Sequence, residues 1–158
     1  EIKDFYDKNK DLYFKKDAEY KARHIVVKDE KVAKKLISEL KGLSGKALEK
    51  KFIQLAEKYS VGPSKIDGGE LGFFALNSMT KSFSDAVSVL EIGTITMQPV
   101  KTQYGYHVIL SEAKNTKVYV PLEKVKMQIL YNLKSKKLNT VLDKIQEKAH
   151  IKYFIKVK

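Results

Sequence analysis

The first twenty residues place apolar side chains at helical spacing among aspartates and lysines. Ile2, Phe5 and Tyr6 begin this pattern, which predicts a helix. A helix of this length is marginal alone, so we expect it to dock on another part of the protein. The next stretch, Tyr20–Val27, alternates and becomes apolar on both sides toward its end. This pattern predicts a central strand that is covered on both faces.

Two helices follow the strand. Asp29 is a suitable N-cap for the first helix, whose apolar face covers residues 32–40. The second helix has its apolar positions at spacings of three and four between residues 48 and 59. The run Ser60-Val-Gly-Pro-Ser64 then ends the helical pattern.

A glycine-rich turn introduces the second strand. Gly68 and Gly69 indicate a sharp turn, because glycine adopts positive φ without the steric cost that other residues meet. Glu70–Ala75 then predicts a short apolar strand. Within it, Gly72 is expected to let another backbone or side chain approach closely.

A third helix, a hairpin and one long helix complete the chain. Residues 83–90 have a helical apolar side, and Pro99–Leu110 predicts two short strands that turn near residues 103–105. From Pro121 to Lys148 the apolar residues form one stripe of about 28 residues, roughly 42 Å long. A compact domain cannot cover that length, so its partner is the N-terminal helix, a second copy of the chain or an unfolded client. Residues 151–157 alternate and suggest a terminal strand.

The element order β-α-α-β-α-β-β is α+β and predicts a small antiparallel sheet with surrounding helices. We assign this domain to residues 21–115, between an N-terminal helical flank, 1–20, and a chaperone-like C-terminal part, 116–158. At 158 residues, with 43% hydrophobic and 32% charged residues, the chain suits one sizeable core with an appendage. No stretch approaches the roughly 20 apolar residues of a membrane span.

The charge and the cysteine content bear on the partners of the protein and on the compartment in which it works. The 31 basic and 19 acidic residues give a formal charge of +12, spread along the chain. This is either a plain solvated surface or a source of attraction to nucleic acid, anionic membrane or acidic clients. The absence of Cys excludes disulfides and suits an oxidising compartment. The chain begins at Glu1 without a signal-peptide pattern, so we expect a processed protein or an excised piece.

The sequence lacks the motifs of a dinucleotide-binding site, an RNA-binding strand or a metal site. Residues 67–72 lack the glycine spacing of a dinucleotide-binding loop, and residues 71–75 lack the basic residue of an RNA-binding strand. No two of the histidines 24, 107 and 150 are four residues apart, which argues against a metal site, and His150 suits a helix end. We therefore expect no metal, no cofactor and no nucleic-acid partner.

The order of these motifs resembles the parvulin family of peptidyl-prolyl isomerases over residues 21–113. A histidine strand, Ala22-Arg-His-Ile-Val-Val27, precedes two helices and the run Asp67-Gly-Gly-Glu-Leu-Gly-Phe-Phe74. Met79 and Phe83 follow at the Met-x-x-x-Phe spacing of the family, before the hairpin Pro99-Val-Lys-Thr-Gln-Tyr-Gly-Tyr-His107. The N-terminal segment is also similar to one in bacterial SurA- and PrsA-like folding factors.

The resemblance implies a set of site residues. The implied catalytic residues are His24, His107, Thr102 and Tyr104, with the two histidines orienting the site and tuning its polarity. The implied substrate-binding residues are Leu71, Met79 and Phe83, which form a proline pocket, and Phe74, which extends its rim. Without the resemblance, ordinary core packing explains the apolar residues and a satisfied core position explains each histidine.

The sequence departs from the family pattern in the site. Gly62 stands where parvulins have Cys or Asp, so no side chain there adds negative charge unless Asp67 or the loop substitutes; this puts the catalytic rate in doubt. Tyr104 stands where some members have Ser. The loop Lys28–Lys31 lacks the arginine cluster of phosphate-directed parvulins, so no phosphorylated residue before proline is expected.

The resemblance therefore predicts a parvulin-type isomerase that assists the folding of secreted or envelope proteins. The alternative is a chaperone-like module that binds unfolded clients with little or no isomerase activity. Proline-containing unfolded or nascent chains are the expected partners, and a homodimer through the terminal helices is a further prediction. The expected location is the periplasm or another extracytoplasmic compartment, with the signal segment absent from this chain.

Overall fold

A computed structural model describes residues 1–149, which divide into two compact units. The sheet unit is Asp17–Val118, and the helical unit joins Glu1–Lys16 to the segment from Tyr119 onward. The sequence analysis assigns the N-terminal and C-terminal segments to separate flanks. In the structure the two segments belong to one unit. The expected strand at 151–157 and the helix-end position of His150 lie outside the described residues.

The sheet unit contains four strands and three helices in the expected order. They are β1 (Glu19–Val27), α2 (Glu30–Leu40), α3 (Gly45–Tyr59), β2 (Glu70–Ala75), α4 (Lys81–Val89), β3 (Val100–Thr102) and β4 (Gly105–Asn115). The strand order is β2-β1-β4-β3, with antiparallel pairing throughout. The predicted α+β architecture with a small antiparallel sheet is confirmed, and β1 is a central strand.

Alternation along β1 divides the core between the two faces of the sheet. Ile25 and Val27 pack with α2 and α3 in one buried cluster. Tyr20 and Ala22 point to the other face, where they pack with residues of α4. Asp29 accepts a hydrogen bond from the Lys31 amide at 2.7 Å, so the predicted cap of α2 is confirmed. His24 therefore lies on the α4 face of the sheet.

An ion cluster fixes β1 where its register with both neighbours shifts. Arg23 is only 8% exposed; its Nε donates to Glu112 Oε1 at 2.6 Å and its Nη2 to Glu70 Oε2 at 3.1 Å. Its Nη1 donates to the Asp67 carbonyl at 3.0 Å, and Lys21 Nζ lies 2.9 Å from Glu70 Oε1. The cluster ties the glycine turn to β1.

The glycine turn brings a loop against the backbone of His24. Gly69 has a φ of 82°, and a Cβ there would lie 2.3 Å from the His24 carbonyl oxygen. The His24 amide donates to the Gly69 carbonyl at 2.8 Å. Gly72 differs from expectation: a Cβ there would meet nothing within 4 Å, and its φ of 66° is what requires glycine.

The helical unit pairs α1 (Ile2–Tyr13) with α5 (Leu122–Lys148). Phe14, Val125 and Ile129 form its buried core, so part of the long stripe is covered by the N-terminal segment. Farther along α5 an apolar row stays more than 45% exposed; it consists of Leu138, Val141, Leu142 and Ile145. Among the described residues, no helix is long and apolar enough to cross a membrane.

Candidate active site

Two histidines from the central strands meet on the α4 face of the sheet. His107 on β4 pairs with Val26 of β1, so His24 and His107 occupy diagonal positions on neighbouring strands. Their Nδ1 atoms are 3.1 Å apart, and their rings stack with centroids 5.2 Å apart and planes 26° apart. The structure thus brings together the two histidines that the resemblance implies.

Hydroxyl groups lie at both ends of the histidine pair. Thr102 Oγ1 is 2.7 Å from His107 Nε2, and the Tyr104 amide donates to the same hydroxyl at 3.1 Å. At the other end, Ser64 Oγ is 3.0 Å from His24 Nε2. Four side chains therefore form one continuous chain of hydrogen bonds across the sheet.

Burial keeps both imidazoles uncharged near neutral pH. It lowers the pKa of His24 to about 4. Burial, followed by the electrostatic effect of His24, lowers the pKa of His107 to about 4 as well. A neutral imidazole has one N–H and one acceptor nitrogen, so one ring donates to the other between the Nδ1 atoms.

Phe83 of α4 packs directly against both imidazoles. Its ring centroid is 5.8 Å from that of His24 and 5.5 Å from that of His107, with edge-to-face geometry in both contacts. Phe83 is 4% exposed. The histidine pair therefore lies on an apolar floor, and the lowered pKa values follow from this surrounding.

Leu71 and Met79 pack against the same cluster and remain partly exposed, as walls of a socket must be. Phe74 corrects the expectation that it extends the rim. It is 7% exposed and its ring lies 6.1 Å from that of Phe83, because its position on β2 directs it into the core. Phe74 supports the floor from within the cluster.

Tyr104 joins the site through its backbone. Its amide bonds to Thr102, its carbonyl accepts from Lys28 Nζ at 3.0 Å, and its side chain is 58% exposed. The ring thus stands at the tip of the β3–β4 turn in solvent. A catalytic role for this side chain stays a prediction.

Gly62 lies against β1 with no room for a side chain. A Cβ at Gly62 would lie 2.8 Å from Val26 Cγ1 and 3.7 Å from His24 Nε2. A side chain there would point at the nitrogen that Ser64 now contacts. Asp67, the other candidate to substitute for Gly62, uses its carbonyl for Arg23.

Sequence reasoning missed Ser60 and Ser64. Ser60 is 1% exposed, and its hydroxyl accepts from the amides of Val26 at 3.2 Å and Gly62 at 3.3 Å, which fixes the loop to β1. From the sequence, the run 60–64 indicates only the end of a helix. A hydroxyl two residues after a glycine in a site position is the feature that points to Ser64.

Among the described residues, no group of three His, Cys, Asp or Glu side chains is arranged to hold a metal ion. What the site offers is a neutral, hydrogen-bonded histidine pair packed on Phe83, with the partly exposed Leu71 and Met79 in the same apolar cluster. On an antiparallel four-stranded sheet with flanking helices, this arrangement is that of the parvulin class of isomerase domains.

Comparisons with known proteins agree with this class. Residues 19–113 match the family model of the PPIC-type PPIase domain, or Rotamase. The chain is 48% identical over 143 residues to the putative peptidyl-prolyl cis-trans isomerase Cbf2 of Campylobacter jejuni, covering 90% of this chain and 52% of that protein. It is 37% identical over 151 residues to the foldase protein PrsA of a Geobacillus strain, covering 94% and 48% respectively.

A solved Campylobacter jejuni structure, from work on PEB4 and the periplasmic protein Cj1289 as SurA-like chaperones, aligns with a TM-score of 0.70 and 45% identity. The alignment covers 97% of this chain and 62% of that one. The chain spans about half the length of the curated relatives it matches. It belongs to the PPIC-type family of peptidyl-prolyl cis/trans isomerases.

Proposed function

We propose that the chain is a peptidyl-prolyl cis/trans isomerase that assists the folding of secreted or envelope proteins. Resonance makes the barrier to peptide-bond rotation about 18–20 kcal/mol. Uncatalysed prolyl isomerisation therefore takes tens of seconds or longer. No covalent bond has to form or break, so an enzyme accelerates the rotation by binding the twisted amide more tightly than either planar form.

The observation on which this proposal rests is the neutral histidine pair above Phe83. Twisting the amide removes its resonance and with it much of its charge separation. Surroundings of low polarity therefore favour the twisted amide over the planar one. Each tenfold acceleration needs about 1.4 kcal/mol of this preference. In this proposal His24, His107 and Thr102 set the polarity of the site.

The proline ring is proposed to enter between Leu71 and Met79, with Phe83 below it. Leu71 and Met79 are partly exposed, so a ligand reaches them from solvent. The unbranched side chain of methionine adapts to the shape of a ring. Phe74 acts in this proposal by holding Phe83 in place.

The loop after β1 supports activity without phosphorylation of the client. Asp29 is engaged in capping α2, and Glu30 begins that helix. Lys28 is occupied by the Tyr104 carbonyl. The loop has two carboxylates and two lysines, and Lys28 is engaged, so it has no excess of positive charge to offer a phosphate.

A second candidate function is the holding of unfolded clients. The exposed row on α5 formed by Leu138, Val141, Leu142 and Ile145 favours it, because an apolar row binds apolar segments of a client. The same row is the surface through which a homodimer is proposed. The relatives described as foldases and SurA-like chaperones, and the absence of Cys, support an extracytoplasmic location.

A protease-coupled assay on short Xaa-Pro peptides separates the two candidate functions. Met79→Ala should lower kcat/KM at least about tenfold, because it removes one wall of the socket. Met127→Ala is the matched control, since Met127 is 73% exposed in the helical unit, and it should retain full activity. Circular dichroism checks that both variants fold.

The alternative outcome is equally clear. If the wild-type chain does not accelerate isomerisation but still suppresses aggregation of an unfolded client, the holding function replaces the proposed one. Light scattering across micromolar concentrations tests the dimer separately. A monomer at every concentration contradicts dimerisation through α5.

A further inference from the structure

Ser64 ends the hydrogen-bond chain at His24 Nε2, the same ring nitrogen that a side chain on Gly62 would approach. Its Oγ lies 3.0 Å from His24 Nε2, and a Cβ on Gly62 would lie 3.7 Å from the same nitrogen. The loop therefore substitutes a neutral hydroxyl for an acidic or thiol group. The residue that supplies this hydroxyl, Ser64, lies two positions after Gly62 in the sequence.

The backbone holds Ser64 at this position firmly. The Gly69 amide donates to the Ser64 carbonyl at 2.8 Å, while the Gly69 carbonyl accepts from the His24 amide at 2.8 Å. Gly69 thus links the backbones of both partners. On the other side, the buried Ser60 hydroxyl ties the loop to Val26. The contact between Ser64 and His24 is consequently set by the fold and does not depend on a long flexible side chain.

The directions of the hydrogen bonds follow from the Tyr104 amide, which can only donate. With Thr102 accepting from this amide and donating to His107 Nε2, every bond continues head to tail. His107 then donates from Nδ1 to His24 Nδ1, and His24 donates from Nε2 to Ser64. Head-to-tail chains polarise and strengthen one another. In the reverse direction Thr102 accepts from both the Tyr104 amide and His107, so the bonds do not all run head to tail.

We propose that Ser64 is a positioning residue of the isomerase site, which accepts the Nε2 proton of His24 and thereby fixes the tautomers of both histidines. This inference rests on the proposed function for its effect on rate. Ser64 lies outside the apolar socket, so it affects the turnover step and not the capture of proline. The Ser64 proton stays free for water or for a bound peptide.

Nitrogen-15 NMR of the histidine rings, combined with isomerase kinetics, tests the proposal. In the wild type the proton of His24 should be on Nε2 and that of His107 on Nδ1. Ser64→Ala should move the His24 proton to Nδ1 and lower kcat about fivefold to tenfold, with KM unchanged. Ser64→Thr keeps a hydroxyl and should restore both properties. Ser38→Ala, an exposed serine of α2 that bonds only to the Lys34 carbonyl, should change neither.

Each outcome decides the question. A wild-type His24 with its proton on Nδ1, or a Ser64→Ala protein with unchanged tautomers, overturns the proposal. Shifted tautomers with an unchanged kcat overturn the positioning role. A wild type without isomerase activity refutes the proposed function instead, and the NMR measurement alone then decides the part played by Ser64.

Discussion

Acidification should destabilise the sheet unit through the His24–His107 pair. Their pKa values are about 4 in the folded protein, against 6.5 for an unperturbed histidine. Between these values the unfolded chain binds protons that the folded chain does not. The free energy of unfolding is therefore highest above pH 6.5 and falls as the pH drops toward 4.

The size of this effect follows from the pKa difference. A difference of about 2.5 units is equivalent to about 3 kcal/mol for one ring. His24 keeps partial contact with solvent, which reduces its share. We therefore expect the pair to account for a loss of about 2–4 kcal/mol between pH 7 and pH 4.

Urea titrations at pH 7, 5.5 and 4 measure this loss. Amide NMR signals from β1 and β4 report the sheet unit separately from the helical unit. The matched control is the double variant His24→Gln/His107→Gln, which keeps polar side chains but cannot titrate at these positions. Carboxylates also titrate in this range, but they are the same in both proteins and cancel in the comparison.

Parallel profiles of unfolding free energy for the two proteins from pH 7 to pH 4 would contradict this prediction. That result would mean that the imidazoles bind protons as readily in the folded chain as in the unfolded one. Their burial against Phe83 would then have no electrostatic consequence.

Three further substitutions test the packing around the site, each by urea unfolding of the sheet unit. Gly62→Ala places a Cβ 2.8 Å from Val26 Cγ1 and should cost about 1–3 kcal/mol, with a smaller cost in a Val26→Ala background; equal costs in both backgrounds would contradict the clash. Arg23→Met leaves the Glu112 carboxylate without its main partner and should cost about 3–5 kcal/mol, whereas Arg23→Met/Glu112→Met should recover most of it. Gly69→Ala brings a Cβ within 2.3 Å of a β1 carbonyl at positive φ and should cost more than about 1 kcal/mol; no loss would show that the turn can relax.

The local parts of the fold could be predicted from the sequence. Asp29 caps α2 because its short side chain can accept a hydrogen bond from an amide in the first turn of the helix. β1 is central because both of its faces are apolar, and the glycine pair makes the turn that its conformational freedom permits. These features depend on neighbours within a few residues. The spacing of apolar residues along the chain therefore predicts them directly.

Relations between distant segments could not be predicted from periodicity. Only the family resemblance predicts that His24 and His107 are in contact. The sequence of neither strand determines the register of β1 with β4. The register shifts on both sides of β1 and the ion cluster around Arg23 were not foreseen. Ser64 was missed because a loop residue gains its role only when the loop folds back on β1.

Burial within the site also depends on the assembled core. Strict alternation along β2 predicts that Leu71 and Phe74 lie on opposite faces, but the register shift between them places both against the cluster that α4 covers. Phe74 was therefore expected at the rim and lies in the core. The apolar stripe of α5 likewise predicts a helix without saying how much of it the N-terminal segment covers.

Exchange NMR on a short Xaa-Pro peptide tests the central claim most directly, because it measures rotation and binding in one sample. We expect faster cis/trans exchange with the protein present, together with shifts of amide signals at His24, Leu71, Met79 and residues 102–107. Exchange that stays at the uncatalysed rate, with shifts confined to α5, would contradict it. The apolar cluster of Leu71, Met79 and Phe83 would then be part of the core and not a site for proline.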